Sequence, residues 1–212
     1  NQKLPSVKSL QRAPASQHDR HTGLLFALLI ALVTFISNGT STHLPEFIAA
    51  HGLPVTIGIL WGVGQTGARF LEVASGSALT PMKLTLLTTF SIPLCFLLGI
   101  SSAHIAWAAS GFVFGYGAIN GLTTVFKATL PLQLFAAEDY ARRTGILLIP
   151  AQLLAAASPF AYAWLNLHLG INGSLMISAV LALIVAGLAV SIALCQASRT
   201  IKTRDEQPYR QG

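Results

Sequence analysis

The sequence predicts an all-α membrane protein of six transmembrane helices, arranged as a 3+3 inverted-repeat bundle. First, only 9% of its 212 residues are charged and 53% are hydrophobic, whereas a soluble domain averages about 25% charged residues. Second, the apolar residues fall into long uncharged stretches of the length that spans a bilayer. Third, the polar residues inside those stretches recur in two similar sets of three helices.

The uncharged stretches give the helices in order. A transmembrane helix needs about 20 apolar residues, so stretches 21–45 and 47–68 each hold one span. Stretch 84–126 holds two spans joined by a turn at 101–104, and stretch 144–198 holds two joined at 166–173. We expect each span to be a continuous helix, because lipid cannot hydrogen-bond a broken backbone. The predicted spans are 23–44, 55–75, 83–100, 105–127, 144–165 and 174–197.

Basic residues set the expected orientation. Residues 1–20 read as a polar cytoplasmic linker or tail, 21–198 as the six-helix bundle and 199–212 as a C-terminal tail. With six spans, all thirteen Lys and Arg fall on the side of the two tails. The positive-inside rule then places both termini in the cytoplasm. We expect a multi-pass protein of the bacterial inner membrane, whose partner is the lipid bilayer and which binds no nucleic acid.

A short internal repeat supports the three-plus-three division. The sequence Asn-Gly-Thr-Ser-Thr at 38–42 resembles Asn-Gly-Leu-Thr-Thr at 120–124, 82 residues later. The sequence Gly-Ile-Leu at 58–60, followed by Gln65, recurs at 145–147, followed by Gln152. Chance similarity between apolar helices is the competing explanation. Inverted repeats of three helices are common in transporters.

Helices 1, 2, 4 and 5 each carry one carboxamide well inside the span. These are Asn38, Gln65, Asn120 and Gln152, whereas helices 3 and 6 carry only small hydroxyls. Unpaired amide groups are costly in hydrocarbon. We therefore expect the four amides to face inward, either lining a polar cavity or joining neighbouring helices, while helices 3 and 6 can face lipid.

Two cytoplasmic segments carry a family resemblance. The stretch Gly-Gln-Thr-Gly-Ala-Arg-Phe-Leu-Glu at 64–72 and the stretch Pro-Leu-Gln-Leu-Phe at 131–135 resemble the C-terminal half of major facilitator superfamily transporters. The resemblance extends over residues 20–198. It departs from the family in the cytoplasmic loop motif, of which only Gly67, Arg69, Glu72 and Lys83 remain.

The resemblance implies half of a twelve-helix fold that moves a small solute by alternating access. It implies a missing N-terminal half of six helices as partner, and that helices 1, 2, 4 and 5 line the central cavity. We expect Asn38, Gln65, Asn120 and Gln152 to line it, with Thr124 and Tyr116 behind them. Arg69, Glu72 and Lys127 are candidates for a cytoplasmic gate, although snorkelling to the headgroups is the alternative. We expect no metal and no cofactor.

Other classes fit less well. No His, Asp or Glu lies deep in a predicted span, so the nucleophile and base of an intramembrane protease are unavailable, and we expect no enzyme. The same observation leaves a proton-coupling acid either in the missing half or at a membrane edge, as Glu46 or Glu72. A non-transporting structural or assembly protein remains the alternative, since amides also join helices.

Overall fold

The computed structural model describes residues 17–76, 79–105, 107–134 and 140–206, and within them the chain is helical with no strand. This confirms the all-α architecture. A short 3₁₀ turn, Val55–Gly58, precedes the second helix. The helices are α1 Gln17–Ala50, α2 Ile59–Ser75, α3 Pro81–Ser101, α4 Ala108–Leu134 and α5 Tyr140–Glu206. The predicted tails lie mainly outside the described residues.

Helix α5 is two helical segments that reverse at Gly170. Gly170 has φ 70° and ψ 175°, a backbone conformation open to glycine alone. The Tyr162 hydroxyl lies 2.6 Å from Ser178 Oγ, although residues 16 apart in a straight helix would be about 24 Å apart. The two segments are therefore antiparallel neighbours, here called α5a (140–169) and α5b (171–206). The reversal falls inside the connection predicted at 166–173.

Three helices are long and apolar enough to cross a membrane: α1 from His21 to Ala50, α3, and α5 from Thr144 to Ser198. They make the chain compatible with a multi-pass membrane protein. Helix α2 has 17 residues, which is the lower limit for a span. Helix α4 is longer, but glycine, threonine and asparagine dilute its apolar surface.

The starts of α2 and α3 follow from local chemistry. Pro54 is extended and is followed by the 3₁₀ turn, so the prediction of a continuous α-helix from residue 55 is wrong for its first turn. Thr80 is the extended N-cap of α3, and its hydroxyl accepts a bond from the Lys83 amide. Pro81 follows at the first helical position, where the missing N–H would have had no partner.

Each helix packs mainly against one or two others. Helix α1 packs mainly on α5, α2 packs on α4, and α3 packs on both α4 and α5. The core between them holds a cluster of aromatic rings, in which Phe112 contacts Phe47, Phe96 and Tyr116. Trp61 of α2 reaches the same cluster through Tyr116.

Glycine brings the backbones of α2 and α4 together. A Cβ atom added to Gly121 would lie 2.5 Å from the backbone oxygen of Gln65, and one added to Gly117 would meet the backbone of Trp61. Gly117 and Gly121, which have the small-xxx-small spacing, thus form an interface with α2. The similar pair Gly58 and Gly62 does not, because a Cβ atom added to Gly62 would meet no other atom within 4 Å.

Candidate functional site

The four carboxamides of the predicted cavity divide into two groups. Asn38 of α1 and Gln152 of α5a are exposed, while Gln65 and Asn120 are half-buried. Asn120 Oδ1 accepts a 2.5 Å hydrogen bond from Ser37 Oγ, which joins α4 to α1. Asn38 lies 12 residues before the end of α1, or about 18 Å along the helix axis. An exposed amide at that depth requires water or another polar partner, because hydrocarbon offers neither.

The exposed faces of the helices differ in chemistry. On α1, Asn38, Ser41 and Thr42 are all exposed and share one face by their i, i+3, i+4 spacing. The exposed residues of α3 form a stripe of apolar side chains instead, as do those of α5b. These apolar residues are Leu87, Phe90, Leu94 and Leu97 on α3, and Met176, Val180, Leu183 and Ile184 on α5b.

Tyr116 lies in the aromatic core, behind the amide of Asn120. It is only 3% exposed, and its ring lies between Trp61, Phe96 and Phe112. Its hydroxyl lies near Thr40 and Ser37 of α1. In this arrangement Tyr116 supports the Ser37–Asn120 contact from behind and does not itself face an open surface.

The gate candidates Arg69, Glu72 and Lys127 form no salt bridge with one another in the described part of the chain. Arg69 donates a 2.8 Å hydrogen bond from its guanidinium to Thr124 Oγ1, and Thr124 in turn donates to the Gly121 carbonyl. Within the described residues, the salt bridge present joins His43 and Glu46 at the opposite end of the bundle. Arg69 and Glu72 are therefore not joined by one. Lys127 is half-buried on α4, three residues beyond Thr124. Arg69 therefore ties α2 to α4 near their C-terminal ends.

A polar cluster lies near the C-terminal end of α1, and of its members only Glu46 was predicted to have a role, as a proton-coupling acid. His43 Nδ1 lies 3.0 Å from Glu46 Oε2, and the same oxygen accepts a 3.0 Å bond from Asn166 Nδ2. Asn166 Oδ1 accepts from Ser174 Oγ at 2.5 Å. The cluster thus joins α1, α5a and α5b. His43 and Glu46 are three residues apart, but their partner Asn166 lies 120 residues from Glu46, so local spacing could have indicated the pair and not the whole cluster.

Tyr162 is a further residue near the candidate site that the sequence did not indicate. Its ring covers Gly39 so closely that a Cβ there would overlap it, and it faces the His43 ring at 6.3 Å with 15° between the planes. Tyr162 therefore lies between the His43–Glu46 cluster and the face of α1 that carries Asn38. The available signal was a tyrosine inside the uncharged stretch 144–198.

No group of three or more His, Cys, Asp or Glu residues that could hold a metal ion occurs in the described part of the chain. The polar groups that do converge are amides, hydroxyls and one histidine–carboxylate pair. Such groups bind through hydrogen bonds and proton exchange.

Comparisons with protein families, with curated proteins and with solved structures return no match to this chain.

Proposed function

We propose that the chain is a six-helix half of a secondary transporter of the major facilitator type, moving a small polar solute by alternating access. In this proposal α2 and α4 cross the membrane along with the three apolar helices, and α5a and α5b cross separately, giving six spans. Both termini lie in the cytoplasm, and the membrane is the bacterial inner membrane. Solute binds against the polar faces, between this bundle and a second one of six helices.

The single observation that carries the proposal is the contrast between the exposed faces. Helix α1 exposes Asn38, Ser41 and Thr42 along one face, and α5a exposes Gln152 among apolar neighbours such as Ile149 and Leu153, whereas α3 and α5b expose apolar stripes. The Ser41 and Thr42 hydroxyls donate to backbone carbonyls four residues earlier, so the groups that need a wet or polar surface are the two exposed carboxamides, Asn38 and Gln152. Exposed amides on α1 and α5a are suited to the wall of a water-filled path.

The pairing of helices gives further support. In a 3+3 repeat, α1 corresponds to α4 and α2 corresponds to α5a. The packing of α1 on α5 therefore corresponds to the packing of α4 on α2. Both pairs are main packing contacts of the bundle. Transporter sites are typically built at such repeat interfaces near the bilayer midplane.

Uptake measurements on the protein expressed from its complete natural reading frame test this proposal. Radiolabelled sugars, amino acids, carboxylates and nucleosides are offered to cells or proteoliposomes. We expect one class to accumulate, and the variants Gln65→Ala and Gln152→Ala to reduce the initial rate by up to about tenfold, since a lost hydrogen bond to a polar solute is worth up to about 1.5 kcal/mol.

Gln133→Ala is the matched control, because Gln133 is an exposed glutamine at the end of α4 and lies outside the proposed cavity. We expect it to transport normally. Wild-type rates in both cavity variants would remove those glutamines from the site. No uptake of any class would exclude the transporter.

A structural or assembly role is the second candidate, and the open glycine face of α2 favours it. Gly58, Gly62 and Gly67 line a wide shallow groove with Phe70 at one end, and small residues let another helix approach closely. Under this alternative the protein would copurify with a stable helical partner and show no uptake. The same uptake panel therefore separates the two functions.

A further inference from the structure

Two cationic side chains meet one threonine where α2 and α4 approach their C-terminal ends. The Arg69 guanidinium of α2 donates a 2.8 Å hydrogen bond to Thr124 Oγ1 of α4. Lys127 follows Thr124 by three residues on α4, and residues with this spacing are neighbours on a helix surface, with Cβ atoms about 5–6 Å apart. Thr124 therefore has a cation from each of the two helices beside it.

The ordinary tilt of helical side chains directs Lys127 toward the same point. Side chains lean toward the N-terminus of their helix, which from Lys127 is the turn that carries Thr124. Lys127 is half-buried, so it does not stand free in solvent. Helix α4 continues to Leu134, and a Lys127 ammonium that snorkelled past that end would have to run against the tilt for about two turns.

In the part of the chain that the structure describes, no carboxylate neutralises these cations. The salt bridge found there belongs to Glu46 at the other end of the bundle. Glu72 is half-buried three residues beyond Arg69 and forms no salt bridge with it, and Lys127 has no hydrogen-bonding or ionic partner among the described residues. Like charges this close repel each other, and a partly desolvated cation needs a partner. The arrangement therefore favours an added anion.

The free donors suit an oxyanion. The Thr124 hydroxyl accepts from Arg69 and donates to the Gly121 carbonyl at 2.7 Å, so it holds the guanidinium in place. Arg69 is exposed, and most of the five N–H donors of its guanidinium remain available. A guanidinium binds the oxygens of a phosphate or a carboxylate in pairs, and a lysine adds a point charge. Arg69 and Lys127 together can therefore hold one such group.

The glycine contact between α2 and α4 explains why the cations meet here. Gly121 packs against the backbone of Gln65, and Arg69 and Thr124 each follow about one turn further along their helices. The close approach keeps the helices within reach of the Arg69 side chain. Arg69 shares the face of Gln65 and Thr124 shares the face of Asn120, each by its i, i+4 spacing. The cations thus adjoin the two half-buried amides.

We propose that Arg69 and Lys127 form a binding site for an oxyanion, a phosphate or a carboxylate group, held between the C-terminal halves of α2 and α4. Two kinds of molecule carry such a group: a soluble anion, and an anionic lipid whose headgroup enters between the helices. A soluble anion would be the transported solute, and that assignment rests on the proposed transport function. The site itself does not.

Binding of inorganic phosphate tests the site directly. The full chain is held in nanodiscs of phosphatidylcholine, which has no net charge, and phosphate is titrated by calorimetry at low ionic strength. We expect saturable binding that about 1 M sodium chloride weakens, because salt screens the attraction. Arg69→Gln and Lys127→Gln should each lower the affinity about tenfold or more, since hydrogen bonds between charged groups are strong.

Lys83→Gln is the matched control, because it removes the same charge from an exposed lysine at the start of α3. It should leave the phosphate affinity unchanged, and Lys127→Arg, which keeps the charge, should retain binding. Lys127→Gln also leaves the Arg69–Thr124 bond in place, so it tests the site without removing that contact between α2 and α4. Phosphate affinity that neither Arg69→Gln nor Lys127→Gln lowers would overturn the proposal.

A second measurement identifies which molecule supplies the oxyanion. Native mass spectrometry records the lipids that the protein retains from an equal mixture of phosphatidylglycerol and phosphatidylcholine. Phosphate binding that persists with phosphatidylglycerol in the nanodiscs assigns the site to a soluble anion. Retention of phosphatidylglycerol that is lost in Lys127→Gln assigns it to a headgroup. Absence of phosphate binding, together with equal lipid retention in wild type and Lys127→Gln, would also overturn the proposal.

The link to transport has its own readout. Where uptake is established, the accumulated class should be anionic, a carboxylate or a phosphate ester, and Lys127→Gln should lower the initial rate about tenfold while Lys83→Gln transports normally. Uptake of a neutral solute that Lys127→Gln does not affect would remove the site from the solute path. Because the calorimetry needs no transport, a confirmed site in a chain without uptake would contradict the transporter and leave the site standing.

Discussion

Tyr162 shows how much a single buried side chain determines in this bundle. Its hydroxyl lies 2.6 Å from Ser178 Oγ, and Ser178 donates its own hydrogen to the Ser174 carbonyl at 2.7 Å. Tyr162 must then be the donor, because Ser178 has only one hydrogen. The bond joins α5a to α5b four residues beyond the Asn166–Ser174 bond, and together the two bonds fix the hairpin around Gly170.

Tyr162→Phe removes this bond without changing the shape of the ring. Ser178 keeps its bond to Ser174, so no buried group is left unpaired, and we expect the free energy of unfolding to fall by about 0.6 to 1.5 kcal/mol. Unfolding in mixed detergent micelles measures it. Ser178→Ala should cost a similar amount, and the double variant should cost little more than either, because both remove one bond. Full additivity would show that the two side chains do not interact.

Residue chemistry also marks the limit of sequence reasoning at the site. The amides Asn38, Gln65, Asn120 and Gln152 could be identified because a carboxamide in an apolar run needs a partner wherever the helix lies. The position of the His43 ring could not be predicted, because it is held by a hydrogen bond to the Pro159 carbonyl, 116 residues away. The spacing of Arg69 and Glu72 would allow a contact between them, but the Arg69 guanidinium instead reaches Thr124 on a neighbouring helix.

At the scale of the helices, the sequence repeat and the packing agree in part. The offsets of 82 and 87 residues relate Gly121 and Gln65 to Gly39 and Gln152. Gly121 packs on the backbone of Gln65, but Gly39 lies under Tyr162, ten residues beyond Gln152. The two helix pairs therefore correspond in partners and differ in register. Register depends on how side chains interlock, which spacing along one chain does not report, and the inverted repeat stays a prediction.

The α2–α4 interface gives a sharp prediction for glycine. In Gly121→Ala the new methyl group would lie 2.5 Å from the backbone oxygen of Gln65, so the helices must separate. We expect a loss of about 1 to 3 kcal/mol in the free energy of unfolding, as in other overpacked interiors. Thermal unfolding of the purified protein in detergent measures the change.

Gly62→Ala is the matched control for this prediction. It adds the same methyl group to a glycine of α2, at a position where the new carbon would have no neighbouring atom within 4 Å. Because alanine favours the helix more than glycine, we expect unchanged or slightly raised stability. Equal destabilisation by Gly62→Ala and Gly121→Ala would mean that the close approach of α2 and α4 is not what holds them together.

For the whole molecule, composition was sufficient to predict the helical class, and three of the helices are apolar enough to cross a membrane. Uncharged apolar stretches of this length favour helices, because a helix pairs its backbone groups within one segment. Helix ends were predicted less well, since α4 continues to Leu134 and α1 to Ala50, beyond predicted ends at 127 and 44. Polar residues near the headgroups can extend a helix past its span, and an uncharged-stretch count does not detect this.

The prediction at the scale of the whole molecule concerns its membrane topology. Six crossings with cytoplasmic termini require the connections to alternate between the two faces of the membrane. Single cysteines are introduced in the full chain after Cys95 and Cys195 are replaced by serine, and are labelled in intact cells with a reagent that does not cross membranes. The predicted outer positions are Ala50, Ala103 and Asn172, and the predicted inner positions are Ser9, Ser75, Gln133 and Ser198.

We expect the three outer positions to be labelled in intact cells and the four inner ones only after permeabilisation. Each neighbouring pair along the chain tests one crossing, so the result also locates any error. Labelling of Ser75→Cys together with Ala103→Cys from outside would show that α3 does not cross, and labelling of Asn172→Cys only after permeabilisation would remove the crossing by α5a. The reverse pattern at every position would keep six spans and invert them, which the clustering of all thirteen basic residues on the side of the tails argues against, because translocating that many positive charges is unfavourable.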